Sequence, residues 1–344
     1  MHELYRQDVE QVANLPIAWE KLQDKSILIS GASGMIASTL IDVLMSRKDL
    51  NVTIFALGRN AEKAKKRFED YWKDSRFTFF PCDINRGIKL PVNQVDFIFH
   101  AASNTHPVAY ATDPIGTVTT NIIGTYNLLE FGADHGVERF VFASTVEIYG
   151  ENRGDVEKFK ETDCGYINCN TMRAGYPESK RAGEALCQAY IKQKGMDIVI
   201  PRLSRTYGPT ILDSDTKAIS QFIKKGVAGE DIVLKSEGTQ LYSYSYVTDA
   251  VSGVLYCLLY GTCGEAYNIA DESSDITLKD LAGIIAQMNG KQVVFELPDA
   301  VESAGYSKAT KALLDPTKLK NLGWSAQHSM KDGLERTIEI LRGK

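Results

Sequence analysis

The amino-acid sequence predicts an α/β protein, a doubly wound parallel sheet joined to a smaller α/β lobe towards the C-terminus. Three observations carry this. Short apolar runs alternate with amphipathic helical patterns through the first half of the chain, and such alternation builds a parallel sheet covered on both faces. A glycine-rich turn, Gly31–Ala32–Ser33–Gly34, lies between the first apolar run and the first helical pattern. The strict alternation fades after about Pro201. A chain of 344 residues with 44% hydrophobic and 24% charged side chains can bury a core of that size.

The predicted strands are Ser26–Ser30, Val52–Leu57, Phe77–Phe80, Val95–His100, Phe140–Ser144 and Asp197–Pro201. Between them Ile36, Leu40, Val43 and Leu44 fall on one helical face, as do Ile122, Tyr126 and Leu129. Further helices are expected at Leu278–Met288 and Met330–Leu341. Residues 1–24 read as a helical extension, broken near Pro16, that packs on the sheet or on a second subunit. Residues 25–202, with about 240–264 returning to them, form the first domain, and 203–239 with 265–344 form the lobe.

A net charge of −5 argues against a general nucleic-acid binder, whose footprint is basic. The first residues, MHELYRQDVEQVANL, carry scattered charge and no apolar signal segment. No run of about 18 apolar residues occurs, so no membrane helix is expected. The six cysteines match no zinc or haem spacing, and no metal ligands are assigned. A cytoplasmic protein with reduced thiols is the expectation.

In SILISGASGMIAS, Gly31 permits a close turn after a strand, Gly34 lets backbone amides approach a pyrophosphate, and Ala37 lets the helix sit near the sheet. This strand–turn–helix context points to a Rossmann-type dinucleotide site. The second strand ends at Gly58-Arg59, where an acidic residue would mark NAD. A guanidinium there suits a ribose 2′-phosphate, which tilts the reading from NAD towards NADP. Lys63, Lys65 and Lys66 read as a solvated helix face. Asp83 follows the third strand, placed to accept from the adenine amino group, and His100-Ala101-Ala102-Ser103 closes the fourth with small residues.

Thr145 and Glu147 follow the fifth strand, and Tyr176 and Lys180 stand four apart on one helix face. A tyrosine with an ordinary pKa of about 10 is a poor base at neutral pH. A neighbouring ammonium and an oxidised nicotinamide both favour the phenolate. That makes Tyr176 a base for a sugar hydroxyl, with the Thr145 hydroxyl sharing the proton. The same spacing on an unrelated helix is a plain surface pair; position after the fifth strand gives it meaning.

At this point the chain resembles the extended short-chain dehydrogenase/reductase superfamily, in its nucleotide-sugar epimerase/dehydratase branch. The stretches are GASGMIAS, HAAS, DPIGTVTTNIIGTYNLLEFG, FASTVEIYG, YPESK, PRLSRTYGP, YSYVTDA, GEAYNIA and NLGW, in family order from about Ser26 to Trp324. The resemblance implies Thr145, Tyr176 and Lys180 as catalytic residues and Glu147 as a sugar contact or second acid/base. It implies cofactor contacts at Gly31, Ser33, Gly34, Met35, Ile36, Asp83, Ile84, Ala101, Ala102, Ser103, Tyr176 and Lys180. Asn121, in the central helix, is placed with them as a support of the active site. Ser103, Asn104, Thr145, Glu147, Arg205 and Tyr242 are the implied substrate contacts. The implied chemistry is transient oxidation of a nucleotide sugar to a 4-keto intermediate, and the implied assembly is a homodimer through helices near Ile115–His135 and Tyr176–Lys194.

Departures narrow the reaction. Val146 stands where sugar dehydratases carry an aspartic acid, so dehydration is disfavoured. Around Thr145, Glu147 and Tyr176 the wording is close to UDP-glucuronate decarboxylases. Tyr242 replaces their arginine after the Gly-x-Gln stretch, and Arg205 replaces the usual asparagine. Arg205 either takes the substrate diphosphate or pairs with a carboxylate. An epimerase or close relative such as a decarboxylase is the leading reading. An NADPH-dependent keto-sugar reductase is the alternative, and a non-catalytic cofactor-sensing protein the third. His100 and His106 read as strand-end and loop residues, Tyr242, Tyr244 and Tyr246 as a half-buried strand, and Asp213 and Asp215 as solvated.

Overall fold

The computed structural model describes residues 1–296, 298–306 and 309–343. In chain order the first strands are β1 (Ser26–Ser30), β2 (Thr53–Gly58), β3 (Phe77–Pro81), β4 (Phe97–His100), β5 (Arg139–Phe142), β6 (Ser144–Thr145) and β7 (Ile198–Leu203). They are followed by β8 (Arg205–Tyr207), β9 (Ile232–Leu234), β10 (Leu241–Tyr246), β11 (Ala266–Ile269), β12 (Asp271–Thr277), β13 (Val293–Phe295) and β14 (Lys311–Ala312). The helices are α1 (Glu3–Ala13), α2 (Met35–Ser46), α3 (Ala61–Arg67), α4 (Pro107–Thr112), α5 (Pro114–Thr119), α6 (Thr125–Asp134) and α7 (Gly175–Lys194). The later ones are α8 (Ala218–Ala228), α9 (Val247–Tyr260), α10 (Leu278–Met288), α11 (Ala300–Gly305), α12 (Thr317–Lys320) and α13 (Met330–Arg342).

The large sheet is parallel, in the order β11-β7-β5-β4-β1-β2-β3, and β6 continues alongside β7. The chain winds outward one way from β1 and the other way from β4, so the switch point lies between these two strands. Ligands of such sheets sit beyond the carboxyl ends there. Alternate residues of β1 serve opposite faces. Ile27 and Ile29 join the core of α2 and α9, whereas Leu28 joins Leu128, Leu129 and Cys187 of α6 and α7. A second core, with Phe222, Ile285, Leu334 and Ile338, fills the lobe between α8, α10, α13 and a small sheet. That sheet runs β12-β10-β14, with β8 on β10.

Two expectations are corrected here. Only α9 of the 240–264 stretch returns to the large sheet, because β10 pairs with β8, β12 and β14 of the small one. Tyr242, Tyr244 and Tyr246 are not half-buried. Both faces of β10 are covered, since Ser243 and Ser245 are as buried as the tyrosines. All six cysteines are free thiols, and no helix among the described residues is long and apolar enough to cross a membrane.

The N-terminal helix lies against α2, α9 and α13 rather than on the sheet. Asp8 on α1 is wholly buried. Its carboxylate accepts from Tyr246 Oη at 2.6 Å and from Arg336 Nε at 2.7 Å. Thus one side chain ties the first helix to the small sheet and to the last helix. Removing one partner of a buried charge pair strands the other. We expect Asp8→Ala to lower unfolding free energy by roughly 3–5 kcal/mol in urea denaturation, with Asp8→Asn recovering part of it.

Candidate active site

The carboxyl ends of β1, β4 and β5 open onto one cleft of about 690 Å³. At its floor Gly31 has φ +69°, and a Cβ there would lie 2.7 Å from Ala102 Cα. Only glycine is accommodated. Gly34 then caps α2 in an extended conformation, so the free N–H groups of the first turn, from Met35 and Ile36 onward, are open to an anion. Ser33, Gly34, Met35 and Ile36 all line the cleft. This bare backbone cradle fits the pyrophosphate of a dinucleotide.

At the far end of the cradle the ring of Phe79 lies over Gly58, 3.2 Å from where a Cβ would be. Arg59 is exposed at the rim beside Asn60 and Lys63, so Lys63 shares the cleft although its helix face is solvated. Asp83 and Ile84 line the same end, and Asp83 also accepts from Asn85 N at 3.1 Å. Ala101, Ala102, Ser103 and Asn104 form the adjoining wall. Asn104 Nδ2 is held by Thr117 Oγ1 at 3.1 Å.

Asn121 is a correction to the predicted cofactor contacts. It is fully buried and does not reach the cleft. It sits in a π-helical turn, Thr120–Gly124, between α5 and α6. Its Nδ2 donates to Ser179 Oγ at 2.9 Å, and Ser179 Oγ donates to the Tyr176 carbonyl at 2.9 Å. Asn121 therefore props the first turn of α7 from behind, in keeping with its implied supporting role.

At the reacting end, Thr145 Oγ1 caps the turn after β6 by accepting from Glu147 N at 3.3 Å. Tyr176 and Lys180 project from α7 into the same cleft. Lys180 Nζ donates to the Ala143 carbonyl at 2.8 Å and lies 4.8 Å from the Phe142 ring centroid. Burial lowers its pKa to about 8. Burial and the Glu147 carboxylate push the Tyr176 phenol well up. The nearby hydroxyls of Thr145 and Tyr110 and the charge of Arg173 pull it back. The ammonium is anchored on the strand end, and further groups act on the phenol.

Two of those others were not read from sequence. Arg173 Nη2 pairs with Glu147 Oε2 at 2.5 Å, and its guanidinium lies 4.7 Å from the Tyr110 ring centroid. Tyr110 in turn stacks on Tyr176, with centroids 4.8 Å apart and planes 25° apart. Arg173 stands three residues before Tyr176, a spacing that places it near the same helix face. Nothing in the sequence links Tyr110 to Tyr176.

Arg205 and Tyr242 line the same cleft as Thr145. Of its two expected partners, a carboxylate is not found for Arg205 among the described residues. It lies over the Tyr242 ring at 3.4 Å, and its buried Nη1 has no hydrogen-bond partner. Tyr242 Oη donates to the Ala309 carbonyl at 2.7 Å. Asp213 is exposed as expected, but Asp215 is buried, lines the cleft and pairs with Lys217 at 2.6 Å. His100 is a strand-end residue held by Ser30 and Thr125, and His106 caps α4.

Known proteins resemble this chain in sequence and fold. UDP-glucuronic acid decarboxylase 1 of Xenopus tropicalis is 31% identical over 320 residues, covering 92% of this chain and 72% of that protein. UDP-glucuronic acid decarboxylase 5 of Arabidopsis thaliana is 29% identical, covering 92% and 89%. Among solved structures, Bacillus cereus UDP-glucuronic acid 4-epimerase, in complex with UDP-glucuronic acid and NAD, superposes with TM-score 0.78 at 23% identity. It covers 92% of this chain and 99% of that one. The dTDP-glucose 4,6-dehydratase DesIV of Streptomyces venezuelae, a double mutant with NAD and DAU bound, gives 0.78 at 25% identity, covering 92% and 96%. The family model described as "NAD dependent epimerase/dehydratase family" matches residues 27–270, and this chain is a member of that family.

Proposed function

We propose that the protein is an NAD(P)-dependent nucleotide-sugar epimerase, or a close relative such as a decarboxylase, acting through a transient 4-keto sugar. One observation carries the reading: Thr145, Glu147, Tyr176 and Lys180 line the same cleft as the Gly31–Ile36 cradle. Tyr176 takes the proton of the sugar hydroxyl, and Thr145 holds the same oxygen. Lys180, fixed at the Ala143 carbonyl, keeps a cation beside the strand tips. The dinucleotide, when bound, supplies the hydride acceptor and a further positive charge. A ketone at C4 acidifies C5 for epimerisation and stands β to a C6 carboxylate, which eases loss of carbon dioxide. Val146 offers no acid for dehydration. The UDP-glucuronic acid decarboxylases among the relatives support a uronic acid as first test substrate.

Arg205 is the substrate's anion contact in this proposal. Its Nη1 is buried without a partner, and an unsatisfied buried donor is costly unless a ligand oxyanion completes it. Arg59 and Lys63 at the cradle's far end favour NADP over NAD, although the structural relatives are NAD complexes. Arg59 also sustains the second reading, a keto-sugar reductase. A homodimer is supported by Ile115, Ile122, Ile123 and Tyr126, which are exposed along α5, the π-helical turn and α6. Together they form an apolar stripe suited to a second copy.

Incubation with UDP-glucuronate, followed by NMR of the sugar and nicotinamide absorbance, tests the reaction. Altered sugar with unchanged cofactor supports it, and an unaltered uronic acid, together with stoichiometric consumption of NADPH when a UDP-4-keto sugar is offered instead, overturns it in favour of the reductase. Tyr176→Phe is expected to cut kcat by about a hundredfold or more while dinucleotide affinity is kept. Arg59→Ala is expected to weaken NADP by roughly tenfold and leave NAD nearly unchanged in calorimetric titration. Ile123→Glu with Tyr126→Glu is expected to shift the light-scattering mass to that of one chain.

A further inference from the structure

The proposed reaction needs a phenolate, and the site holds that phenol between a carboxylate and an apolar wall. We propose that Arg173 and Tyr110, stacked and ion-paired beside Tyr176, are positioning residues that help set its acidity. This inference rests on the reading of Tyr176 as the base.

The geometry is a short relay. Glu147 Oε2 holds Arg173 Nη2 at 2.5 Å. The Arg173 guanidinium lies over the face of Tyr110 at 4.7 Å, where a cation is attracted by the ring. Tyr110 presents its other surroundings to Tyr176 as an offset stack at 4.8 Å and 25°. Tyr110 and Tyr176 are both buried, while Arg173 and Glu147 keep 11% and 20% of their side chains exposed. The four residues come from three places: α4, the end of β6, and the segment that runs into α7.

Each member acts on the phenol in a stated direction. The Glu147 carboxylate disfavours a second negative charge at Tyr176. Arg173 neutralises Glu147 and adds its own favourable charge. The Tyr110 hydroxyl, brought near Tyr176 by the stack, favours the phenolate as that of Thr145 does. Lys180 lies on the same helix but is turned to Ala143. Asp215, before α8, bears on Tyr110 and is itself paired with Lys217. Removing Arg173 thus uncovers a carboxylate and deletes a cation at once, and both changes raise the pKa of Tyr176.

The base works deprotonated, so turnover rises with pH through the apparent pKa of Tyr176, and a raised pKa moves the rise to higher pH. The test is the pH profile of kcat and kcat/KM for UDP-glucuronate with the full chain and saturating cofactor. Arg173→Met is expected to displace the rise upward by about one unit, so the neutral-pH rate falls about tenfold and recovers in alkali. Tyr110→Phe, which keeps the ring, is expected to move it the same way by less. Arg173→Lys, which keeps the charge, is expected to restore most of the profile. A loss equal at every pH, or a change confined to KM, in both Arg173→Met and Tyr110→Phe overturns the role. A wild-type protein that leaves UDP-glucuronate and UDP-glucose untouched overturns it too, by removing the reading beneath it. Wild-type turnover with unmoved variant profiles overturns the relay alone.

Discussion

The crevice exists because Gly31 turns against Ala102 with no side chain between them. A Cβ at position 31 would meet Ala102 Cα at 2.7 Å, so the tips of β1 and β4 close up and α2 starts directly above them. The small residues Ala101 and Ala102 are the other half of this contact. Together they leave a bare floor, flanked by helix N–H groups, across which an extended dinucleotide is accommodated. The positions of Thr145, Tyr176 and Lys180 have meaning only relative to that floor.

Charge is arranged around the reacting end rather than merely collected there. One carboxylate, Glu147, is held by one guanidinium, Arg173. A second guanidinium, Arg205, is held flat on Tyr242 with a buried nitrogen left over. The first pair is internally balanced and addresses the phenol. The second group has hydrogen-bonding capacity to spare in the lining of the cleft. The second depends on the small sheet's closeness to the strand tips of the large one, since Arg205 of β8 and Tyr242 of β10 line the same cleft as Thr145. The ends of the chain stabilise this closeness from outside: Asp8 links α1 to Tyr246 on β10 and to Arg336 on α13.

Much of the framework was legible in the sequence. The apolar runs located β1 to β5 and β7 to within two or three residues, and α10 was found at its observed bounds. Buried parallel strands read as continuous apolar stretches, and amphipathic helices keep their period, so neither depends on distant partners. The misreading of β10 has a related cause. Alternating tyrosine and serine looks like one wet face, but serines too can be covered when another layer lies over them. Asn121 is buried behind the cleft in a π-helical turn, which no residue pattern announces.

The sequence by itself determined the alternation of strands and helices, the cradle glycines, and the presence of Thr145, Glu147, Tyr176 and Lys180 near strand ends and a helix start. These are local properties, written in periodicity, turn chemistry and short spacings. Tertiary structure alone decided that Tyr110 stacks on Tyr176, that Arg173 holds Glu147, that Lys180 faces Ala143, and that Arg205 lies on Tyr242. Those contacts join segments far apart in the chain, and the acidity of a buried phenol is set by whatever charges folding brings within a few ångströms of it.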